Sequence, residues 1–237
     1  MLSNQVRAFA DEAWARFVDH AFFAAIGDGS LSLEQLRFWL EQDLPYLADY
    51  ESVRTKIAAR VNEDPAYRDL AEHVAWDEWV DQAGEGEVAF EYELLALVGA
   101  GRPVIGRFEA RPSREAYMNH IVRVGHEGTI GEMIAALLPC DWGFTETGGR
   151  LETKAESNLH PAFALWIEYY TSPAQRANTE TSISVLDRAG TLADAAERDR
   201  IGWIFLRSVQ HQIAVLDAAW RVADPWPEER EALAVRP

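Results

Sequence analysis

Apolar residues recur every three to four positions from one end of this chain to the other, and strict apolar/polar alternation is almost absent. A helix turns once in 3.6 residues whereas a strand alternates every two, so the pattern commits the chain to an all-α architecture. Val6, Phe9, Ala10, Trp14, Phe17, Val18, Ala21 and Phe22 form one stripe, with Ser3 placed to cap it and Gly27-Asp28-Gly29 placed to end it. Ser32 with Gln35 three residues on is the capping-box signature of a second helix, whose face carries Leu36, Trp39, Leu40, Asp43, Tyr46, Leu47 and Tyr50.

Asn62-Glu63-Asp64-Pro65 predicts a stop and a restart, with a third helix over roughly Ala66 to Gln82. After Gly84-Glu85-Gly86 a shorter helix runs through Phe90, Leu94 and Leu97 to Gly99-Ala100-Gly101, and a loop holding Pro103 and Pro112 reaches Ser113. From Ser113 the pattern is helical to Leu138, with Tyr117, Ile121, Val124, Gly128 and Ala135 inward, and Gly125 and Gly128 free of side chains where a neighbour approaches or the helix bends. Pro139 is expected to interrupt this helix, leaving Cys140 at the break and a new helix from about Trp142 to Glu156. His160-Pro161 opens a helix bearing Phe163, Trp166, Ile167 and Tyr170, Ser172-Pro173 opens the next, and the last spans Leu192 to about Val222, ended by Asp224-Pro225-Trp226-Pro227. No stretch reads as a linker, so residues 1–237 form one domain with a short polar tail, 224–237, expected to be partly loose from Glu228 on.

With 237 residues, 48% of them hydrophobic, the chain can bury a sizeable core. No signal peptide and no run of membrane-spanning length is visible, and a single cysteine allows no intrachain disulfide, in keeping with a cytoplasmic protein. The 22 Lys+Arg against 39 Asp+Glu give a net charge of −17, which repels a phosphate backbone and argues against nucleic acid as a partner.

Function is sought in the polar residues that interrupt apolar stripes. Asp43 is one, and a buried carboxylate requires a structural partner, a ligand or a shifted pKa. Pro45, two residues on, removes a helical hydrogen bond beside it. Tyr46, Tyr117 and Tyr170 face inward with hydroxyls that need partners, as does Gln212 on the last helix. Cys140 is either a small buried hydrophobe or a nucleophile, and the latter requires a polar or electropositive setting. His73 with Asp77 and His126 with Glu127 lack the further inward carboxylates of a helical-bundle metal site.

Three segments together resemble the TenA, or thiaminase II, family: Phe38-Trp39-Leu40-Glu41-Gln42-Asp43-Leu44-Pro45-Tyr46-Leu47, Gly128 to Trp142 with Glu132 and Ala-Ala-Leu-Leu-Pro-Cys, and His160 to Tyr170. The likeness spans most of the chain in the right order. It implies a heme-oxygenase-like helical bundle without heme or other cofactor, usually a homotetramer (or dimer), that removes the amino group of an aminomethyl-aminopyrimidine in thiamin salvage or cleaves thiamin. By position it implies Cys140 as nucleophile, Asp43 as the carboxylate that binds the pyrimidine, and Tyr46, Tyr117 and Tyr170 as tyrosines lining the pocket. Where the family pattern has an acid/base glutamate this chain has Gln212, and where an aromatic residue stacks on the ring it has Val215.

Glutamine holds a heterocycle or water by hydrogen bonds but transfers no proton. The sequence therefore leaves open a working hydrolase of the thiamin-salvage type, a diverged enzyme for another small amine-bearing or heterocyclic metabolite, and a non-catalytic binder that uses the same pocket. A metal oxidase on the same fold requires a His and carboxylate cluster that the sequence does not show.

Overall fold

The computed structural model describes residues 1–82, 86–103 and 109–229. Among them are twelve α-helices and no strand: α1 (Leu2–Phe9), α2 (Asp11–Val18), α3 (Ala21–Asp28), α4 (Leu33–Glu63), α5 (Arg68–Ala71), α6 (Trp76–Asp81), α7 (Glu87–Leu97), α8 (Pro112–Glu127), α9 (Ile130–Glu152), α10 (Pro161–Thr171), α11 (Pro173–Leu192) and α12 (Ala195–Arg221). The all-α expectation holds.

The bundle is built around α9, which packs on α10, α11 and α12, while α4 packs on α7, α8 and α9. Residues Ala135 to Leu138 of α9 are wholly inaccessible to solvent, as the axial position requires. Helix α4 is 31 residues long, roughly 46 Å at 1.5 Å per residue, and starts at the expected box: Gln35 N–H donates to Ser32 Oγ at 3.1 Å and Ser32 N–H to Gln35 Oε1 at 2.9 Å.

Helix boundaries depart from the sequence reading in four places. The single helix expected from Ser3 to its stop at Gly27-Asp28-Gly29 is three short ones, because the chain breaks at Ala10 and again at His20, whose Nδ1 accepts the Phe22 N–H at 3.1 Å and so caps α3, which does end at Gly29. Ser3 caps nothing. It lies inside α1, and its N–H and hydroxyl both donate to Asp187 of α11, at 2.8 and 3.0 Å. The third helix is interrupted as well, a 3₁₀ turn over Pro65–Tyr67 followed by α5 and α6.

The most consequential departure concerns the long helix expected from Ser113 to Leu138. It stops at Gly128, and α9 restarts with a second capping box in which Glu132 N–H donates to Thr129 Oγ1 (3.2 Å) and Thr129 N–H to Glu132 Oε2 (3.0 Å). Pro139 then sits inside α9, which continues to Glu152, so the helix expected from Trp142 to Glu156 is the second half of α9. Cys140 stands in a helix interior, not at a break. Proline has no N–H to give the carbonyl four residues back, which here is Ala135; dense packing on three neighbouring helices holds the helix together where propensity would end it.

Gly125 serves the close approach expected of it: a Cβ there would stand 2.8 Å from a Val53 methyl, so only glycine lets α8 lie this near α4. The described part of the tail is tied down, with Asp224 accepting from Ser113 N–H at 2.7 Å and Glu229 pairing with Arg111 at 2.9 Å. Residues 83–85 of the glycine-rich link, 104–108 of the proline-containing loop and 230–237 of the tail lie outside the described residues.

Candidate active site

Along α4, Asp43, Tyr46, Tyr50 and Arg54 are spaced three, four and four residues apart, so they fall on one face, and all four are buried. That face looks across to Cys140 and Asp141 on α9. Helix α7 adds Glu87 and Glu91, α8 adds Arg114 and Tyr117, α10 adds Tyr170, α11 adds Asn178 and Ser182, and α12 adds Gln212 and Val215, all buried. The candidate residues thus come from seven helices.

Cys140 is half-buried, so part of its surface remains open. Tyr46, Tyr117 and Tyr170 are all close enough for the sulfur to act on their hydroxyls. The Tyr46 and Tyr117 rings stack at 5.0 Å between centroids, 26° apart, and Tyr117 stacks in turn on His211 at 5.4 Å. Gln212 Nε2 reaches the Tyr117 hydroxyl at 3.5 Å, a long contact, and Val215 lies one turn further along the buried face of α12.

The surroundings of the thiol are polar but not electropositive. Burial first, then the carboxyl groups of Glu87, Asp43 and Asp141, push the Cys140 thiol well above its ordinary pKa, and the nearby Tyr46 hydroxyl opposes them. At neutral pH the sulfur is a thiol, which attacks carbon only if a neighbour takes its proton.

Two buried arginines organise the carboxyl groups. Arg54 lies 3.7 Å from Asp141 Oδ1 and also binds Asn178 Oδ1, with its guanidinium 3.8 Å from the centre of the Trp79 ring. Asp141 accepts from Tyr50 Oη (2.7 Å) and Asn178 Nδ2 (3.1 Å) at Oδ1 and from Ser182 Oγ (2.8 Å) at Oδ2, while Trp79 Nε1 donates to Ser182 at 3.3 Å. Arg114 forms a buried ion pair with Asp43 and lies over the Tyr46 ring at 4.8 Å. The inward carboxylate read from the sequence therefore has its structural partner on α8.

Glu91 is set against Asp43, and no well-formed hydrogen bond reaches either of its oxygens among the described residues. Burial and the adjacent Asp43 raise it far above the usual carboxylate range, so it carries a proton. Glu87, one turn earlier, accepts from Tyr170 Oη at 3.0 Å. Burial, then the Asp43 charge, raises its pKa to about 8 against the lowering effect of the Tyr170 bond.

Cys140, Asp43, Tyr46, Tyr117 and Tyr170 are thus gathered at one place, with Gln212 joined through Tyr117. Sequence reasoning missed Tyr50, Arg54, Glu87, Glu91, Arg114 and Asp141. Some were visible in outline: Tyr50 and Arg54 continue the Asp43 stripe, and Glu87 and Glu91 share a helical face with Phe90 and Leu94.

Comparison with known proteins agrees with this architecture. Aminopyrimidine aminohydrolase of Halalkalibacterium halodurans is 25% identical over 211 residues, 89% of this chain and 92% of that one, and that of Bacillus subtilis is 26% identical over 219 residues, 92% and 89% of the two chains. A TenA homologue from P. horikoshii OT3 superposes with a TM-score of 0.78 over 94% of this chain and 100% of its own, at 22% identity. The TENA/THI-4/PQQC family model matches residues 7–222, nearly the whole chain, and this protein belongs to that family.

Proposed function

We infer that this protein is a hydrolase that cleaves a C–N bond of an aminopyrimidine or thiamin-related compound, with Cys140 as the nucleophile. The observation that carries the reading is the convergence of a partly accessible thiol, a buried carboxylate and stacked tyrosines at one place in the bundle, in a chain aligned along most of its length with aminopyrimidine aminohydrolases. Tyr46 and Tyr117 offer a flat aromatic wall to a heterocycle, Asp43 and the Gln212 amide offer hydrogen bonds, and Val215 contributes apolar surface. Sulfur bonds to the activated carbon, the nitrogen group leaves, and water replaces sulfur, so the net change consumes one water and releases one ammonia from an aminomethyl-aminopyrimidine, or the thiazole from thiamin. No cofactor enters this reading.

Ammonia release from an aminomethyl-aminopyrimidine, and cleavage of thiamin, test it. Turnover that disappears in Cys140→Ala is expected; no turnover at high enzyme concentration, with the helical circular-dichroism spectrum intact, overturns it. The amide of Gln212 and the small Val215 favour a second reading, in which the same site has been refitted to another amine-bearing heterocycle; it fails if Gln212→Glu is without effect and thiamin-type substrates turn over normally.

The assembly belongs to the same proposal. Phe9 and Trp203, half and 60% exposed, meet edge to face at 5.1 Å on the surface where α1 and α12 lie together, and such a patch fits a homo-oligomer, a tetramer or a dimer. Among the described residues no helix is long and apolar enough to cross a membrane. The reading is of one domain working in the cytoplasm, and sedimentation of the purified chain tests the oligomer.

A further inference from the structure

The reaction proposed above moves protons between a thiol, an amine and a water, and the most familiar candidates around Cys140 are poor carriers. Gln212 has no acidic proton. Tyr46, Tyr50, Tyr117 and Tyr170 are all pushed up by burial, which makes their hydroxyls weaker acids than usual. Asp141 is occupied by Tyr50, Asn178, Ser182 and Arg54, and Asp43 by Arg114.

The buried charges then make a simple balance. Around Cys140, four carboxyl groups (Asp43, Asp141, Glu87, Glu91) lie with two guanidinium groups (Arg54, Arg114). Each arginine is matched to an aspartate, and the two glutamates are left without a cation of their own. A buried carboxyl in that position keeps its proton. Of the two, Glu91 is turned to Asp43, whereas Glu87 is the carboxyl that acts most strongly on the Cys140 sulfur.

We propose that Glu87 is the catalytic acid and base of this site, held by the Tyr170 hydroxyl beside Cys140 and carrying protons between the thiol, the departing amine and the incoming water. The proposal rests on the hydrolase reading above. In the first half-reaction Glu87 gives its proton to the amine nitrogen as the C–N bond breaks and the C–S bond forms, and its carboxylate takes the thiol proton; ammonia leaves. In the second, water attacks the carbon, the C–S bond breaks, Glu87 protonates the sulfur and takes a proton from the water. Glu87 ends each half-reaction as it began, and thiol and carboxyl are both restored.

Its position suits the task. Helix α7 packs on α4 and α10, and the groups that face Glu87 from them are Asp43 and Arg54 on α4 and Tyr169 and Tyr170 on α10; Asp141 and Cys140 face it from α9, and Glu91 lies on its own helix. Burial and the Asp43 charge bring it to about 8, near the pH at which it must both give and accept a proton.

Glu87→Gln is the test, since the amide keeps the size of the side chain and cannot carry a proton. With an aminomethyl-aminopyrimidine as substrate, kcat is expected to fall by roughly 10²–10⁴-fold while KM changes little, and the loss of activity that wild type shows above about pH 8 should disappear from the residual rate. Tyr170→Phe, which removes a bond that lowers the Glu87 pKa, should move that alkaline limb upward. A Glu87→Gln kcat within threefold of wild type overturns the proposal.

A second measurement needs no substrate. The rate at which iodoacetamide alkylates Cys140 should bend near pH 8 in wild type, as Glu87 becomes a negative neighbour; in Glu87→Gln the bend is lost and the thiol ionises at lower pH. Identical profiles overturn the assignment. If wild type releases no ammonia from any aminopyrimidine, the hydrolase reading falls, and the alkylation profile still decides whether Glu87 governs the thiol.

Discussion

Two buried charge clusters flank Cys140, and they are built differently. Around Asp141 the carboxylate itself is fully supplied: a phenol, an amide and a serine hydroxyl donate to it and Trp79 secures the serine, while Arg54 stands 3.7 Å away with its Nε and Nη1 short of hydrogen bonds among the described residues. Around Asp43 the bonding is incomplete. Arg114 pairs with it, but Arg114 Nε and both oxygens of Glu91 have no well-formed hydrogen bond among the described residues, and the Tyr46 hydroxyl is in the same condition. A satisfied buried network fixes the helices it joins, whereas buried groups left short of partners are held ready for something that completes them. Asp141 is then the scaffold of the site, and the Asp43 side is where substrate and protons are handled.

The strongest way to break this comparison is to remove each aspartate in turn. Asp141→Asn leaves Arg54 without its ion-pair partner and turns amide hydrogens toward groups that already donate, so a loss of about 3–5 kcal/mol in stability is expected from urea unfolding. Asp43→Asn should cost less, below about 2 kcal/mol, because Glu91 can release its proton and become the counter-ion of Arg114. The same substitution should weaken binding of an aminopyrimidine. Equal losses of stability at the two positions would mean that both clusters are scaffold.

Sequence reasoning found the sparse side of the site more readily than the dense one. Asp43, Tyr46 and Cys140 belong to recognisable segments, whereas the partners that explain them, Arg114 and Glu91, come from helices remote in the chain, and no local pattern joins them. Helix type was legible throughout from periodicity. Helix ends were legible where the cap is chemical, as at Ser32 and Ser172, and Thr129 with Glu132 carries the same signature in plain view at the start of α9. They were misread where a proline stood for a stop, since Pro139, like Pro45, is held inside a helix by packing that propensity does not foresee.

Glu87 offers a smaller and sharper effect. Its folded pKa is raised, to about 8 from an ordinary value of 4.5, so the folded state holds a proton that the unfolded chain gives up. That contribution is fully present below pH 4.5 and is lost as the pH rises through about 8. Glu87→Gln cannot ionise, so relative to wild type it should gain Tm as the pH is raised from 5 to 8.5, by at least ~2 °C for a chain of this size. A constant difference in Tm across that range would show that Glu87 is not protonated in the fold.

Behind Tyr117 the same physics runs with the opposite sign and should give the smallest effect. His120 and His211 are both lowered to about 4 from 6.5, chiefly by burial, with the nearby Arg207 adding to it, so the fold holds them neutral. Their contribution is present above pH 6.5 and is lost as the pH falls toward about 4. His211→Phe keeps a ring against Tyr117 and removes one titration, so it should flatten the acid side of the Tm profile and leave the alkaline side as it was. Combined with Glu87→Gln it should flatten both sides, since the two groups titrate over separate pH ranges. If the double variant shows more than the sum of the single changes, the histidines and Glu87 titrate as one network, and the division of the site into a fixed side and a proton-handling side would have to extend through Tyr117 to α12.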